Sequence, residues 1–143
     1  MKQLIEKLTN SFDTVSPATP SAIETAEKFF NLKLPTDYKE FLQFTNGLEG
    51  ETTDSHLVLW SAEELVELNQ AYHVKEFVSN IILIGSDGAE DAFAFDITNM
   101  TIVKLPFIGM GYIAREKVSD TFGDFLSFQM KEGNKSLFKR LFG

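Results

Sequence analysis

The stretch from Ile81 to Leu105 constrains the fold more than any other part of the chain. Ile81-Ile82-Leu83-Ile84 is a β-branched apolar run suited to a central strand. Gly85-Ser86-Asp87-Gly88-Ala89-Glu90-Asp91 follows as a turn, and Ala92-Phe93-Ala94-Phe95-Asp96 then alternates as a second strand. After a turn at Thr98-Asn99, Thr101 to Leu105 gives a third strand, closed by Pro106. Strands joined by turns this short must run antiparallel, because a parallel pair needs a crossover of a dozen residues or more. The core of this protein is therefore an antiparallel meander.

Helical patterns lie on either side of it. Leu4, Ile5, Leu8 and Phe12 share one stripe of a helix over 2–12, and Ser16-Pro17 and Thr19-Pro20 break the chain into a loop. Thr19 with Pro20 at the first helical position predicts a new helix carrying Ile23, Ala26, Glu27 and Phe30. Leu32 and Leu34 flank an extended connector, and Thr36 is the expected cap of a helix presenting Tyr38, Phe41 and Leu42. Asn46-Gly47 predicts its left-handed end, and a polar loop is expected from Glu49 to Ser55. His56 to Trp60 reads as a strand. Ser61 with Glu64 three residues later forms a capping box for a helix with Leu65, Leu68 and Tyr72 on its apolar face. Residues 107–114 suggest a short edge strand. Ser119 or Asp120 is the expected cap of a helix carrying Phe122, Phe125 and Leu126, and a last short helix is expected from Ser136 to Leu141. The order predicts an α+β single domain, an antiparallel sheet flanked by N- and C-terminal helices, with no linker dividing its 143 residues.

Composition narrows the function. The net charge is −8, and it is unevenly placed: eleven acidic residues and one Lys, Lys75, lie between Glu49 and Asp96, against ten acidic and twelve basic residues elsewhere. Such a surface repels a phosphate backbone, so nucleic-acid binding is not expected, whereas a basic protein partner would be steered towards it. Glu49, Glu51, Asp54, Asp87, Glu90 and Asp91 are the candidate contact residues on that account. The chain has no Cys, which excludes disulfides and thiolate chemistry. The N-terminal residues lack the pattern of a signal peptide and no apolar run reaches bilayer length, so a cytoplasmic protein without membrane contact is expected.

Several pieces occur in an order that resembles the SUKH superfamily, named partly after a fungal cell-wall regulator. They are the helix ending at Phe29-Phe30, the string Leu34-Pro35-x-x-Tyr38-x-x-Phe41-Leu42, and Asn46-Gly47 before a strand and helix. Ile84-Gly85-Ser86-Asp87-Gly88 leading into Phe93-Ala94-Phe95-Asp96, and the helix from Ser119 to Phe128, complete the set. The resemblance covers roughly residues 20 to 130. It implies a small α+β domain that acts by protein–protein contact without an active site. Bacterial members look like immunity proteins that neutralise polymorphic toxins, often nucleases; fungal members look like regulatory scaffolds. A cognate toxin is thus the expected partner, and a cellular protein bound by a regulatory module is the alternative. Oligomeric state is left open.

Enzymatic readings find little footing. His56 and His73 lack ligand spacing, and no Gly-x-Ser-x-Gly is present. Gly85-x-x-Gly88 is too short for a phosphate loop and Gly109-x-Gly111 lies outside any strand-to-helix turn. Asp87, Glu90, Asp91 and Asp96 do not follow the calcium-loop spacing and read as a solvated turn. No cofactor or metal is expected. Trp60, the lone Trp, reads as a buried anchor, with an interface role as the alternative.

Overall fold

The computed structural model describes residues 7, 9–10, 12–52, 55–111 and 115–129. Its frame is one seven-stranded antiparallel sheet whose spatial order follows the chain: β1 (Asp13–Thr14), β2 (Leu48–Glu51), β3 (His56–Leu59), β4 (Ile81–Ser86), β5 (Asp91–Asp96), β6 (Thr101–Pro106) and β7 (Glu116–Ser119). The helices are α1 (Pro20–Phe30), α2 (Thr36–Phe44), α3 (Ala62–Ala71) and the single turn α4 (Val74–Phe77), and residues 122–129 form a further helix, α5. The expected α+β class and antiparallel meander are both present. Of the expected elements, the helix over 2–12 falls almost wholly outside the described residues, as does the one from Ser136 to Leu141. Phe12 precedes β1 and is buried beneath Gly50.

Strand alternation sorts the apolar side chains into two layers. Leu57, Leu59, Ile82, Ile84, Phe93, Phe95 and Ile102 face one way, and meet Ile23 and Ala26 of α1, Tyr38, Phe41 and Leu42 of α2, and Phe122, Phe125 and Leu126 of α5. Ile81, Leu83, Ala92, Ala94, Val103 and Leu105 face the other way and meet Trp60, Val74, Val78 and Met110. Helices α1, α2 and α5 lie on the first side, and the opposite face is covered as well. Burial on both faces explains why β4 reads as an unbroken apolar run instead of alternating with polar residues.

Local details depart from the sequence reading where backbone groups compete for partners. The polar loop expected from Glu49 is instead strand β2, in register with β3 through Leu48–Leu59 and Glu51–His56. Its polar side chains disguised it, because on that strand only Leu48 is buried. Helix α2 begins after Pro35 without a side-chain cap, so Thr36 is its first residue and not its cap. The Asp37 carboxylate reaches across to accept the Gly123 N–H at 2.9 Å, tying α2 to the first turn of α5. The cap of α5 is Thr121, whose Oγ1 accepts the Asp124 N–H at 3.1 Å, not Ser119 or Asp120. Gly47 does take a positive φ of 98°, though α2 has already ended at Thr45, which is extended. Position 47 needs glycine because a side chain there would meet the backbone of Leu59 and Trp60. Asn46 reaches forward, accepting the Ala62 N–H at 2.8 Å at the start of α3.

Two buried polar side chains hold the layers in place. Glu27 lies within the α1 face and accepts the Leu34 N–H at 2.8 Å, with the Lys39 ammonium 3.4 Å away. That bond fixes the Leu32–Leu34 connector between α1 and α2. Asn69 on α3 stands where β3 diverges from β4: its Oδ1 accepts the Leu83 N–H and its Nδ2 donates to the Leu83 carbonyl, both at 2.9 Å. One side-chain amide thus replaces a missing strand partner and satisfies two backbone groups that would otherwise be buried unpaired. The close passage of β3 over β4 also explains Gly85, where a Cβ would collide with the Val58 carbonyl oxygen.

Candidate interaction surface

The carboxylates singled out from the sequence gather at one end of the sheet. Glu49 and Glu51 sit on β2, opposite Val58 and His56 of β3, and Val58 in turn pairs with Ser86 of β4. That ladder brings β2 beside the turn holding Asp87 and Glu90, with Asp91 opening β5. His56 stands between the two groups: its Nε2 lies 3.1 Å from Glu49 Oε1, and its ring abuts Gly88. Asp54 lies outside the described residues.

These acids differ in what they are free to do. Asp87 Oδ1 accepts the backbone N–H groups of Ala89 at 2.9 Å and Asp91 at 3.2 Å, so this carboxylate shapes the turn. Asp91 faces the Lys104 ammonium at 3.7 Å. Glu51 and Glu90 are exposed, and their carboxylates make no hydrogen bond or ion pair among the described residues. Asp96, grouped with Asp87, Glu90 and Asp91 by sequence, sits at the far end of β5, about 17 Å along the strand from Asp91 at ~3.3 Å per residue. It faces Arg115 at 3.5 Å instead. Those four acids cannot enclose one ion, and among the described residues no group of three or more metal-ligating side chains converges.

A cleft of about 350 Å³ opens on the α1/α2/α5 side of the same end, floored by Phe93 and bordered by His56, Lys104, Lys117 and Phe128. Three of its bordering side chains each face a carboxylate: His56 faces Glu49, Lys104 faces Asp91 and Lys117 faces Asp120.

On the opposite face of the sheet lies a feature that the sequence reading did not assemble. Trp60 is buried, as expected of an anchor, but its ring stacks at 6.4 Å on Tyr72, and Tyr72 lies 4.9 Å from Phe107. Tyr72 is 41% exposed, and Ile108, next in the chain to Phe107, is 91% exposed. The Phe107 N–H donates to the Glu90 carbonyl at 2.9 Å, which joins this aromatic ladder to the acidic turn. Only the helical spacing of Leu68 and Tyr72 hinted at it; the ladder itself depends on where β6 ends.

Tyr38 carries the one buried side-chain polar atom without a partner among the described residues. Its ring packs edge-on against Phe95 and Phe122, at 5.1 and 4.8 Å, and burial pushes its phenol well above the ordinary tyrosine range. No described helix is long and apolar enough to cross a membrane.

Comparison with known proteins places this geometry in a family. A curated relative, the uncharacterized protein YnaB of Bacillus subtilis (strain 168), is 33% identical over 75 residues, which is 52% of this chain and 48% of that protein. The chain therefore matches about half the length of that relative. The sequence model of the SMI1 / KNR4 family (SUKH-1) matches residues 17–127, from the loop before α1 into α5. This span takes in β2 to β7 of the sheet and the Tyr38–Phe41–Phe122 core, and the chain belongs to the SMI1 / KNR4 (SUKH-1) family.

Proposed function

We propose that this chain is a non-enzymatic, cytoplasmic binding protein of the immunity type, which attaches to a cognate toxin and blocks it by occupying its surface. The observation that carries the reading, within a chain of this family, is the gathering of Glu49, Glu51 and Glu90 as exposed carboxylates at one end of a rigid sheet. Carboxylates on such a platform raise the encounter rate with a basic partner and lose that advantage as salt rises. Toxins that act on nucleic acid carry basic surfaces to hold phosphates, and so fit an acidic blocker. The part of the sheet beneath these acids is held by the paired β2–β3–β4 ladder and its buried leucines, so the surface is organised before binding.

The test is affinity capture with the tagged chain from cells of its source, at low and at high salt, with bound proteins identified by mass spectrometry. The reading expects a basic toxin fragment that leaves at high salt and whose activity the purified chain inhibits stoichiometrically. Recovery of cellular regulatory proteins with no toxin would replace it with a scaffold role.

A further inference from the structure

We infer that the cleft floored by Phe93 is the docking site of the chain's own basic segment, residues 131–142, whose cations meet the carboxylates at its border and whose apolar side chains cover Phe128. The contact lies within the chain and does not depend on the toxin reading. Where that reading holds, the segment competes with a basic partner for the same acidic end of the sheet.

Three observations point to the segment as the occupant. The first is where α5 leads. Its Phe122, Phe125 and Leu126 are at most 1% exposed, packed in the core beneath the sheet. Its last turn then brings Phe128 and Gln129 to the border of the cleft, and Phe128 is 51% exposed. A large apolar side chain half in water at the rim of a cleft gains when another apolar group covers it. The chain continues from this rim, so the residues that follow are tethered beside the cleft at high effective concentration.

The second is what those residues are. Residues 131–142 hold four cations, Lys131, Lys135, Lys139 and Arg140, against one acid, Glu132, in a chain whose net charge is −8. Leu137, Phe138, Leu141 and Phe142 lie among the cations. The segment therefore carries both the apolar groups that would cover Phe128 and the charge opposite to that of the rest of the chain.

The third is the charge left over on the receiving side. Lys104 and Lys117 border the cleft, but each already faces a carboxylate, Asp91 and Asp120. Glu116, also on the border, is exposed and its carboxylate makes no ion pair among the described residues. Asp87 uses Oδ1 for its turn and keeps Oδ2 for another donor. Glu51 is the register partner of His56, a further border residue. The unmet charge is thus negative, which suits a basic segment and repels nucleic acid and anionic lipid alike.

The experiment places a single nitroxide on the full-length chain through Ser136→Cys, which is selective because the chain has no other cysteine. Line broadening of backbone amides is then read in an isotopically labelled sample, and a second sample labelled through Asn134→Cys controls for the substitution itself. Strong broadening is expected at Ser55, His56, Gly88 and Lys117, which are remote from the label in sequence. It should weaken about twofold or more in ~1 M salt, where the screening length falls to ~3 Å, and in the double variant Glu51→Gln, Glu116→Gln. Broadening limited to α5, or centred on Tyr72 and Phe107 across the sheet, would overturn the assignment. So would broadening indifferent to both salt and the charge variant. Broadening that arises only between a nitroxide-bearing chain and a separate labelled chain would overturn it too, because the occupant would then come from a second copy. A search of cells that recovers no toxin leaves this contact standing, and absence of the contact leaves the acidic end of the sheet open to a partner.

Discussion

Tyr38, Phe41, Phe95 and Phe122 form one ring cluster; Trp60, Tyr72 and Phe107 form another on the opposite side of the sheet. The first is sealed. All four of its residues are at most 1% exposed, and they join α2, β5 and α5 into one layer. The second begins in the core at Trp60 and climbs into solvent. Similar side chains thus do different work according to what covers them. The sealed cluster converts apolar area into stability, while the open ladder leaves part of its area in water. The two clusters can then be altered separately.

Four substitutions probe that separation, beginning with the largest effect. Phe122→Ala opens a cavity where α5 meets Tyr38 and Phe41, and should cost about 3–5 kcal/mol in urea unfolding. A loss below ~1 kcal/mol would mean that α5 is not part of the sealed layer. Asn69→Ala should follow, since both Leu83 backbone groups lose their partner, at about 1–3 kcal/mol for each group left buried and unpaired. Hydrogen exchange should show the Leu83 amide losing protection first.

Tyr38→Phe should be neutral or stabilising by roughly 1 kcal/mol, because it deletes a buried hydroxyl that has no partner among the described residues. The pH dependence sharpens the point. Burial raises the Tyr38 phenol in the folded state, so above its unfolded value, near pH 10, the unfolded chain binds fewer protons than the folded one. Stability from this group is complete below pH 10 and is lost as pH rises beyond it. Tyr38→Phe should therefore lose less stability than wild type between pH 9 and about 11, measured as paired urea midpoints. A steeper loss in the variant would show that a hydrogen-bond donor or a cation beside the oxygen favours the phenolate in the folded state. Smallest of all, Ile108→Ser should alter stability by less than ~0.5 kcal/mol, since its side chain packs against little. A larger loss would place Ile108 in the core and dissolve the contrast between the two clusters.

The meander from Ile81 to Leu105 was readable because its alternation and short turns admit one topology. Helices α1 and α3 were readable from their caps, Thr19 and the Ser61–Glu64 box, which are local chemistry. Strand β2 was not, because Glu49, Gly50 and Glu51 are strand residues only by virtue of the partner β3 offers. The same limit applied to recognition. Charge counting found the acidic segment, since net charge is a property of sequence. It could not find that Asp87 serves its own turn, that Asp91 faces Lys104, or that Phe107 ends beside Tyr72. Those facts depend on which distant residues the sheet brings together.

The most direct test of the account is stopped-flow association of the captured partner with wild type and with the double variant Glu51→Gln, Glu90→Gln across a salt series. The account predicts that wild-type association slows steeply with salt. The double variant should associate more slowly at low salt, with a shallower slope and an unchanged dissociation rate. Association that ignores both salt and the two substitutions would contradict it, and would remove the acidic end of the sheet from the mechanism.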